Sequence, residues 1–250
     1  MHLKLTIAYD GTGLVGWQRQ PTGTSVQALL EEALAPIAGG SVAVAGAGRT
    51  DAGVHALAQV ASVTLRRPVT PRAVIQSCNM YLPPAVRVIA ADEVDSTFHA
   101  RFSAAAKRYR YRLWNGRVLH PFERNYAWHV PWPPLDLAAM NDAAARLIGT
   151  HDFGAFKASG TDVETSVRTI FASAVTETTE PDPGRLLTYE VRGDGFLRHM
   201  VRSIAGTLVE VGRGRRPVSS IDELLSQRHR ASVGRTAPAH GLFLVAVEYK

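Results

Sequence analysis

Residues 46–56 combine three glycines with a carboxylate, a guanidinium and an imidazole, in the order Gly46-Ala47-Gly48-Arg49-Thr50-Asp51-Ala52-Gly53-Val54-His55-Ala56. Glycine loses more backbone freedom on ordering than other residues, so such a run is typical of a tight turn or a close backbone approach. A plain surface turn is the alternative, but it needs only a glycine and a small polar residue. Asp51, Arg49 and His55 together instead indicate a loop that carries chemistry.

Two phosphate-binding motifs are excluded for this segment. In a dinucleotide fingerprint that begins at Gly46, the third glycine would fall on Asp51. A phosphate loop needs Gly-Lys-Ser or Gly-Lys-Thr, and no lysine lies near.

A second segment alternates basic and aromatic residues, Lys107-Arg108-Tyr109-Arg110-Tyr111-Arg112-Leu113-Trp114. Successive side chains of a strand point to opposite faces, so Tyr109 and Tyr111 would share one face and the arginines the other. Cations mixed with aromatic rings are typical of a strand that contacts nucleic acid through charge and base stacking. The alternative is an edge strand whose basic residues prevent aggregation.

The third segment is Gly195-Phe196-Leu197-Arg198-His199-Met200-Val201-Arg202, which opens a helix expected to continue through Val211. Apolar residues recur along it at helical spacing, and Arg198, His199 and Arg202 fall on one sector. The alternative is the basic outer face of an ordinary surface helix.

The elements that position these segments form a repeated pattern. Apolar alternation predicts strands over 3–9, 57–65 and 85–94, with a short strand at 42–45. Helical spacing after a capping box at 24–27, and Pro71 after Thr70, predict two helices. The order β-α-β-β-α-β is that of a ferredoxin-like unit.

The rest of the chain predicts a second unit of the same kind. A helix over 137–148 precedes strands near 168–178 and 185–192, joined by a turn at 181–184, and a last strand over 238–247 completes the pattern. The expected fold class is α+β, with mainly antiparallel sheets and helices on one face. The expected halves are residues 1–104, with the glycine-rich loop, and 105–250, with the basic strand and the arginine helix.

Composition favours a polyanionic partner. The 250-residue chain has a formal net charge of +6, and 24 of its 28 basic residues are arginine, whose planar fork suits phosphate. Its single cysteine, Cys78, and nine scattered histidines give no metal-ligand set. With neither a signal peptide nor an apolar run long enough to span a bilayer in the sequence, we expect a soluble, cytoplasmic protein.

These segments resemble the tRNA pseudouridine synthase A family. The most specific match to the family is the block A-G-R-T-D-A-G-V-H at 47–55. Five further segments agree with the family pattern: F-H-A-R-F-S at 98–103, R-Y-R-Y at 108–111, H-D-F-x-x-F at 151–156, H-M-V-R at 199–202 and the closing G-L-x-L-x-x-V. The sequence departs at Leu14, where the family usually has an aromatic residue after Y-D-G, so no stacking role is assigned there.

The resemblance implies the pseudouridine synthase fold and an isomerase that converts uridine to pseudouridine at positions 38, 39 and 40 of the tRNA anticodon stem-loop. It implies Asp51 as the nucleophile or base, Arg202 as its partner and Tyr109 against the uracil. It also implies no metal or other cofactor and a homodimer that binds tRNA across both subunits. The expected substrate-binding residues are Tyr109, Arg49, Leu242, His55, Arg108, Arg110, Phe196 and His199.

Two functions of other classes stay open at this point. One is a non-catalytic RNA-binding module, which would have no use for the acid. The other is a phosphate-handling hydrolase that uses Asp51 and His55, although no second carboxylate lies near them in the sequence.

Overall fold

The computed structural model describes residues 1–158, 160, 164–179, 184–227 and 233–250. The chain forms two compact units, one of Met1–Ala105 with Phe243–Lys250 and one of Ala106–Leu242. The expected division at residue 104 placed the closing strand in the second half, whereas residues 243–250 lie in the first unit. Residues 181–183 of the predicted turn lie outside the described residues.

The first unit is a ferredoxin-like α/β sandwich. Its elements are β1 (His2–Tyr9), α1 (Val26–Ala38), β2 (Val44–Gly46), β3 (His55–Thr64), α2 (Pro71–Tyr81) and β4 (Val86–Glu93). β1 lies between β4 and β3, antiparallel to both. The other edge of β3 pairs antiparallel with β2 and, at its first residues, parallel with the closing strand β10 (Leu242–Tyr249).

Both helices of this unit begin at a side-chain cap, and α1 also ends at a capping glycine. Ser25 Oγ accepts from the N–H of Ala28 at the start of α1, and Gly39 ends that helix with φ 72°. Thr70 caps α2 in the same way, with Pro71 as its first residue. A side-chain acceptor at the cap satisfies an N–H that the helix leaves unpaired, and glycine adopts the left-handed conformation without strain.

The second unit combines a mainly antiparallel sheet with three α-helices in its described residues. Its elements are β5 (Ala104–Gly116), β6 (Trp128–Val130), α3 (Leu137–Ala145), β7 (Gly149–Asp152), β8 (Val167–Thr179), β9 (Gly184–Gly193), α4 (Met200–Gly212) and α5 (Ser220–Gln227). The sheet order is β5-β9-β8-β7, and β6 pairs parallel with β5. α3 contacts both β8 and α4.

Three details of the second unit differ from the sequence-based expectation. Residues 151–152 form the end of β7, for which no strand was predicted. α5 was not predicted either, and α4 begins at Met200, five residues after Gly195. α4 is also buried on nearly every side, with only Arg202 and Glu210 partly exposed, so the interpretation as a surface helix is wrong. Within the described residues no helix is long and apolar enough to cross a bilayer.

Candidate active site

The loop that carries Asp51 connects β2 to β3 and is held by backbone contacts with residues 11–17. The carbonyl of Thr50 accepts from the N–H of Trp17 at 3.1 Å, and the N–H of Gly53 donates to the carbonyl of Leu14 at 3.2 Å. Asp51 is half-buried, and Arg49 is exposed. The carboxylate is therefore presented by a fixed backbone, with a cation nearby in the chain.

Two glycines allow this close approach. A Cβ on Gly16, whose φ is +101°, would lie 2.5 Å from the Thr50 carbonyl oxygen, and a Cβ on Gly11 would lie 2.2 Å from that of Val54. Both distances are far below van der Waals contact. Gly11 and Gly16 thus belong to the support of the Asp51 loop.

A buried hydroxyl pair also supports the loop. The Tyr9 hydroxyl and Thr50 Oγ1 are 2.8 Å apart. Burial raises the pKa of Tyr9 to about 12, although the hydrogen bonds with Thr50 and Gln59 oppose that shift. The phenol consequently stays protonated near neutral pH and can donate to Thr50, the residue that precedes Asp51.

His55, expected to bind substrate, is only 1% exposed and stacks on Phe243 with ring centroids 4.6 Å apart. Its Nδ1 lies 2.9 Å from the N–H of Gly11 and 3.1 Å from Asp10 Oδ1. These contacts hold the Asp10–Gly11 turn against the first residue of β3. This burial denies His55 the solvent access that the hydrolase alternative requires.

In the second unit, Tyr109 lies on β5 opposite Val191 of β9 and is 8% exposed. Its ring meets Phe196 edge to face, with centroids 5.0 Å apart and planes at 77°. This arrangement fixes the ring of Tyr109 while Phe196 remains half-buried. The structure therefore brings together two of the expected substrate-binding residues.

The arginines of β5 differ in their surroundings. Arg108 is exposed, whereas Arg110 forms an ion pair with Glu190 at 2.7 Å and Arg112 one with Glu123 at 2.9 Å. An arginine already engaged by a carboxylate has fewer free donors for a phosphate. Arg108 is thus the arginine of this strand best suited to contact a polyanion.

Arg202 lies in the first turn of α4 and is tied to the segment that precedes β10. Its Nε donates to the Ala237 carbonyl at 2.8 Å, and the Ala237 N–H donates to the Arg202 carbonyl at 3.1 Å. The Tyr111 hydroxyl donates to the next carbonyl, that of Pro238, at 2.7 Å. The bond from Nε orients the guanidinium group of Arg202.

His199 precedes α4 with φ 65°, the single positive φ among non-glycine residues in the part of the chain that the structure describes. An L-residue in this conformation is uncommon, and histidine is one of the residue types that adopt it most readily. Arg198 and His199 therefore lie outside the helix, contrary to the expectation that they share a helical sector with Arg202.

Leu242, also expected to bind substrate, begins β10 and is 6% exposed.

His240 was not predicted from the sequence as a site residue. Burial lowers its pKa, the positive charge of Arg202 acts in the same direction, and a hydrogen bond with the backbone of Ala127 opposes both. Burial also raises the pKa of Tyr111, against the effect of Arg202. Burial and the charge of Arg202 both disfavour the protonated form of the His240 imidazole. The feature of the sequence that could have pointed to His240 is the His-Gly pair directly before the last strand.

No group of three or more His, Cys, Asp or Glu side chains that could hold a metal ion occurs within the described residues. The first unit offers a half-buried carboxylate on a fixed loop. The other unit offers an oriented guanidinium, a fixed tyrosine and an exposed arginine.

Comparison with known proteins assigns the class. A family model described as tRNA pseudouridine synthase matches residues 5–103 and 143–250, which include every expected site residue except Tyr109, Arg108 and Arg110. The chain belongs to the tRNA pseudouridine synthase family, isomerases that convert uridine to pseudouridine in tRNA.

Three similar proteins carry a more specific name than the family model, tRNA pseudouridine synthase A. The protein of Solibacter usitatus is 48% identical over 250 residues, covering 99% of both chains. The protein of Myxococcus xanthus is 47% identical over 248 residues, covering 99% of this chain and 92% of its own. That of Syntrophotalea carbinolica is 45% identical, covering 99% and 96%.

Proposed function

We propose that this chain isomerises uridines at positions 38, 39 and 40 in the anticodon stem-loop of tRNA, with Asp51 as the nucleophile or base. The observation that carries the assignment of Asp51 is the backbone clamp on its loop, where the Thr50 carbonyl bonds to Trp17 and Gly16 leaves room for it. A catalytic group held this rigidly loses little entropy when the reaction begins.

The reaction balances without an external reagent. The bond between uracil N1 and the sugar C1′ breaks, the uracil rotates, and C5 bonds to C1′. The proton on C5 is then lost and N1 becomes protonated, so no electrons are gained or lost overall. Asp51 would act either by attack at C1′ or by proton abstraction from the sugar.

Arg202 and Tyr109 have supporting roles in this proposal. Arg202 would pair with the Asp51 carboxylate, because an ionised acid in a dry pocket is costly without a cation. Tyr109 would stack on the uracil and assist the loss of the C5 proton. The orientation of Arg202 by Ala237 and of Tyr109 by Phe196 supports these roles.

The remaining residues would hold the flipped nucleotide and its neighbours. Extraction of a base from a helix costs roughly a few kcal/mol, which contacts to the RNA backbone offset. We propose that Arg49 and Arg108, both exposed, contact phosphates, with Arg110, Phe196, His199 and Leu242 around the base. His55, being buried, would contribute by supporting the Asp10–Gly11 turn. We further propose a homodimer that acts in the cytoplasm.

The direct test measures tritium release from tRNA labelled at uridine C5. We expect release by the wild type and none by Asp51→Asn, with tRNA affinity retained within about tenfold, because the change removes a reacting group and leaves the phosphate contacts intact. The reaction is run in chelator, which also tests the expectation that no metal takes part.

The matched control is Asp92→Asn. Asp92 is an exposed carboxylate of the same unit whose ion pair with Lys4, at 3.1 Å, contributes little to stability. This variant should release tritium at the wild-type rate. Substantial release by Asp51→Asn would refute the role given to Asp51, and tight tRNA binding without release by the wild type would favour the binding-module alternative.

A further inference from the structure

The turn at residues 98–103, which the proposed site does not use, presents an aromatic ring to solvent. Phe102 is 76% exposed. The Arg101 guanidinium lies 5.5 Å from the centre of its ring, and the His99 ring centroid is 4.4 Å away. Single exposed aromatic residues are common. This one stands with a cation and an imidazole at one point of the surface.

The turn is closed by its own hydrogen bonds. His99 Nδ1 accepts from the N–H of Arg101 at 3.1 Å and from that of Phe102 at 3.4 Å. Ser103 Oγ accepts from the N–H of His99, and the N–H of Ser103 donates to the His99 carbonyl. The backbone beneath the exposed ring is therefore fixed.

The turn is also anchored to the core of the first unit. Ala100 is fully buried; its N–H donates to Ser62 Oγ at 3.2 Å, and its carbonyl accepts from the Tyr249 hydroxyl at 2.8 Å. The ring of Phe98 packs on that of Tyr249, with centroids 5.0 Å apart. A preorganised ring of this kind loses little freedom when a ligand covers it.

We propose that this turn is an RNA contact at which Phe102 stacks on an unpaired or terminal base of the tRNA while Arg101 contacts an adjoining phosphate. The proposal rests on tRNA being the substrate. A cation beside the ring and the net charge of +6 favour a polyanion over an apolar protein surface. Every nucleobase has a π-face, so a ring beside a guanidinium suits it without sequence preference.

The test compares tRNA affinities at fixed salt for the wild type, Phe102→Ala, Phe102→Trp and Phe122→Ala. Phe122 is the matched control, an aromatic residue 78% exposed with a histidine ring 5.5 Å away. We expect Phe102→Ala to weaken binding by about 5- to 150-fold, the range for loss of one stacked base. Phe102→Trp and Phe122→Ala should bind as the wild type does, and all variants should keep the melting temperature.

A second measurement separates charge from stacking. Arg101→Ala should reduce the slope of log K against log salt by roughly 0.7 to 0.9, as loss of one phosphate contact requires, whereas Phe102→Ala should leave that slope unchanged. Equal affinities for Phe102→Ala and Phe122→Ala would overturn the proposal. So would a change in oligomeric mass with affinity retained, which would make the turn a protein contact. Failure of the wild type to form pseudouridine would count against the proposed function alone.

Discussion

The glycines around the Asp51 loop either avoid a collision with a neighbouring backbone or adopt a positive φ, and a series of alanine variants distinguishes these two requirements. A Cβ on Gly11 meets the Val54 carbonyl at ordinary φ, Gly13 has φ +76° with open space, and Gly16 combines φ +101° with a collision. We expect Gly13→Ala to lower the free energy of unfolding by about 1 kcal/mol, the strain of a left-handed L-residue. Gly11→Ala and Gly16→Ala should lower it further.

Urea denaturation measures this order directly, and the isomerase rate of each folded variant reports the effect on Asp51. Gly13→Ala should retain near-normal activity, because nothing near it moves. If Gly16→Ala were as stable and as active as Gly13→Ala, the close approach to Thr50 would have no part in holding the catalytic loop.

The environment of the His240 imidazole predicts that the free energy of unfolding depends on pH. Its pKa in the folded protein is lowered, chiefly by burial, from the ordinary value of 6.5. Below pH 6.5 the unfolded chain therefore binds more protons at this position than the folded one, and the free energy of unfolding decreases as pH falls. Above about pH 7.5 the imidazole is neutral in both states and its contribution is constant.

Urea midpoints between about pH 7.5 and about pH 5.5 test this for the wild type and His240→Gln. The variant cannot titrate at this position, so its stability should fall less over the interval. Identical pH profiles would mean that His240 titrates alike in the folded and unfolded chains.

At the scale of elements, α4 depends on a helical glycine that the sequence pattern does not explain. A Cβ on Gly206 would lie 1.7 Å from the carbonyl oxygen of Arg235, and one on Gly234 would meet the backbone of Thr207. The segment before β10 therefore lies directly on the helix, where it also bonds to Arg202. The close packing that buries α4 is what orients its one charged residue in the first turn.

We expect Gly206→Ala to destabilise the protein by more than about 2 kcal/mol, although alanine is the better helix former by roughly 1 kcal/mol. The control is Gly214→Ala, beyond the end of α4, where φ is +67° and no atom lies within 4 Å of the added Cβ. Chemical denaturation of both variants measures the difference. A stabilising effect of Gly206→Ala would show that the segment moves away at little cost.

At the scale of the whole molecule, the excess of arginine predicts salt-dependent RNA binding. If the protein makes four phosphate contacts, raising the salt from about 50 to about 200 mM should weaken binding roughly 50- to 150-fold through counterion release. Arg108→Gln should reduce the salt slope by nearly one contact, whereas Arg110→Gln should reduce it less because Glu190 already engages Arg110. A flat response to salt would exclude phosphate contacts as the main source of affinity.

The sequence by itself determined the elements of the first unit and the class of reaction, but it did not predict α5 in the second unit. Alternation in β1 and β3, the caps of α1 and α2, and the order β-α-β-β-α-β all rest on local rules, so they could be deduced residue by residue. The resemblance of the Asp51 block to one family indicated the reaction, and the family match confirmed it. The basic and aromatic faces of β5 likewise followed from a period of two.

Only the tertiary structure decided which polar residues are available. Arg108 and Arg110 read alike in the sequence, yet a carboxylate on β9 engages only the second. His55, expected from the sequence to bind substrate, is buried and stacks on Phe243. Phe243 belongs to β10, which pairs with β3 although the two strands are far apart in sequence. Burial and ion pairing depend on residues distant in sequence, and no local pattern records those distances.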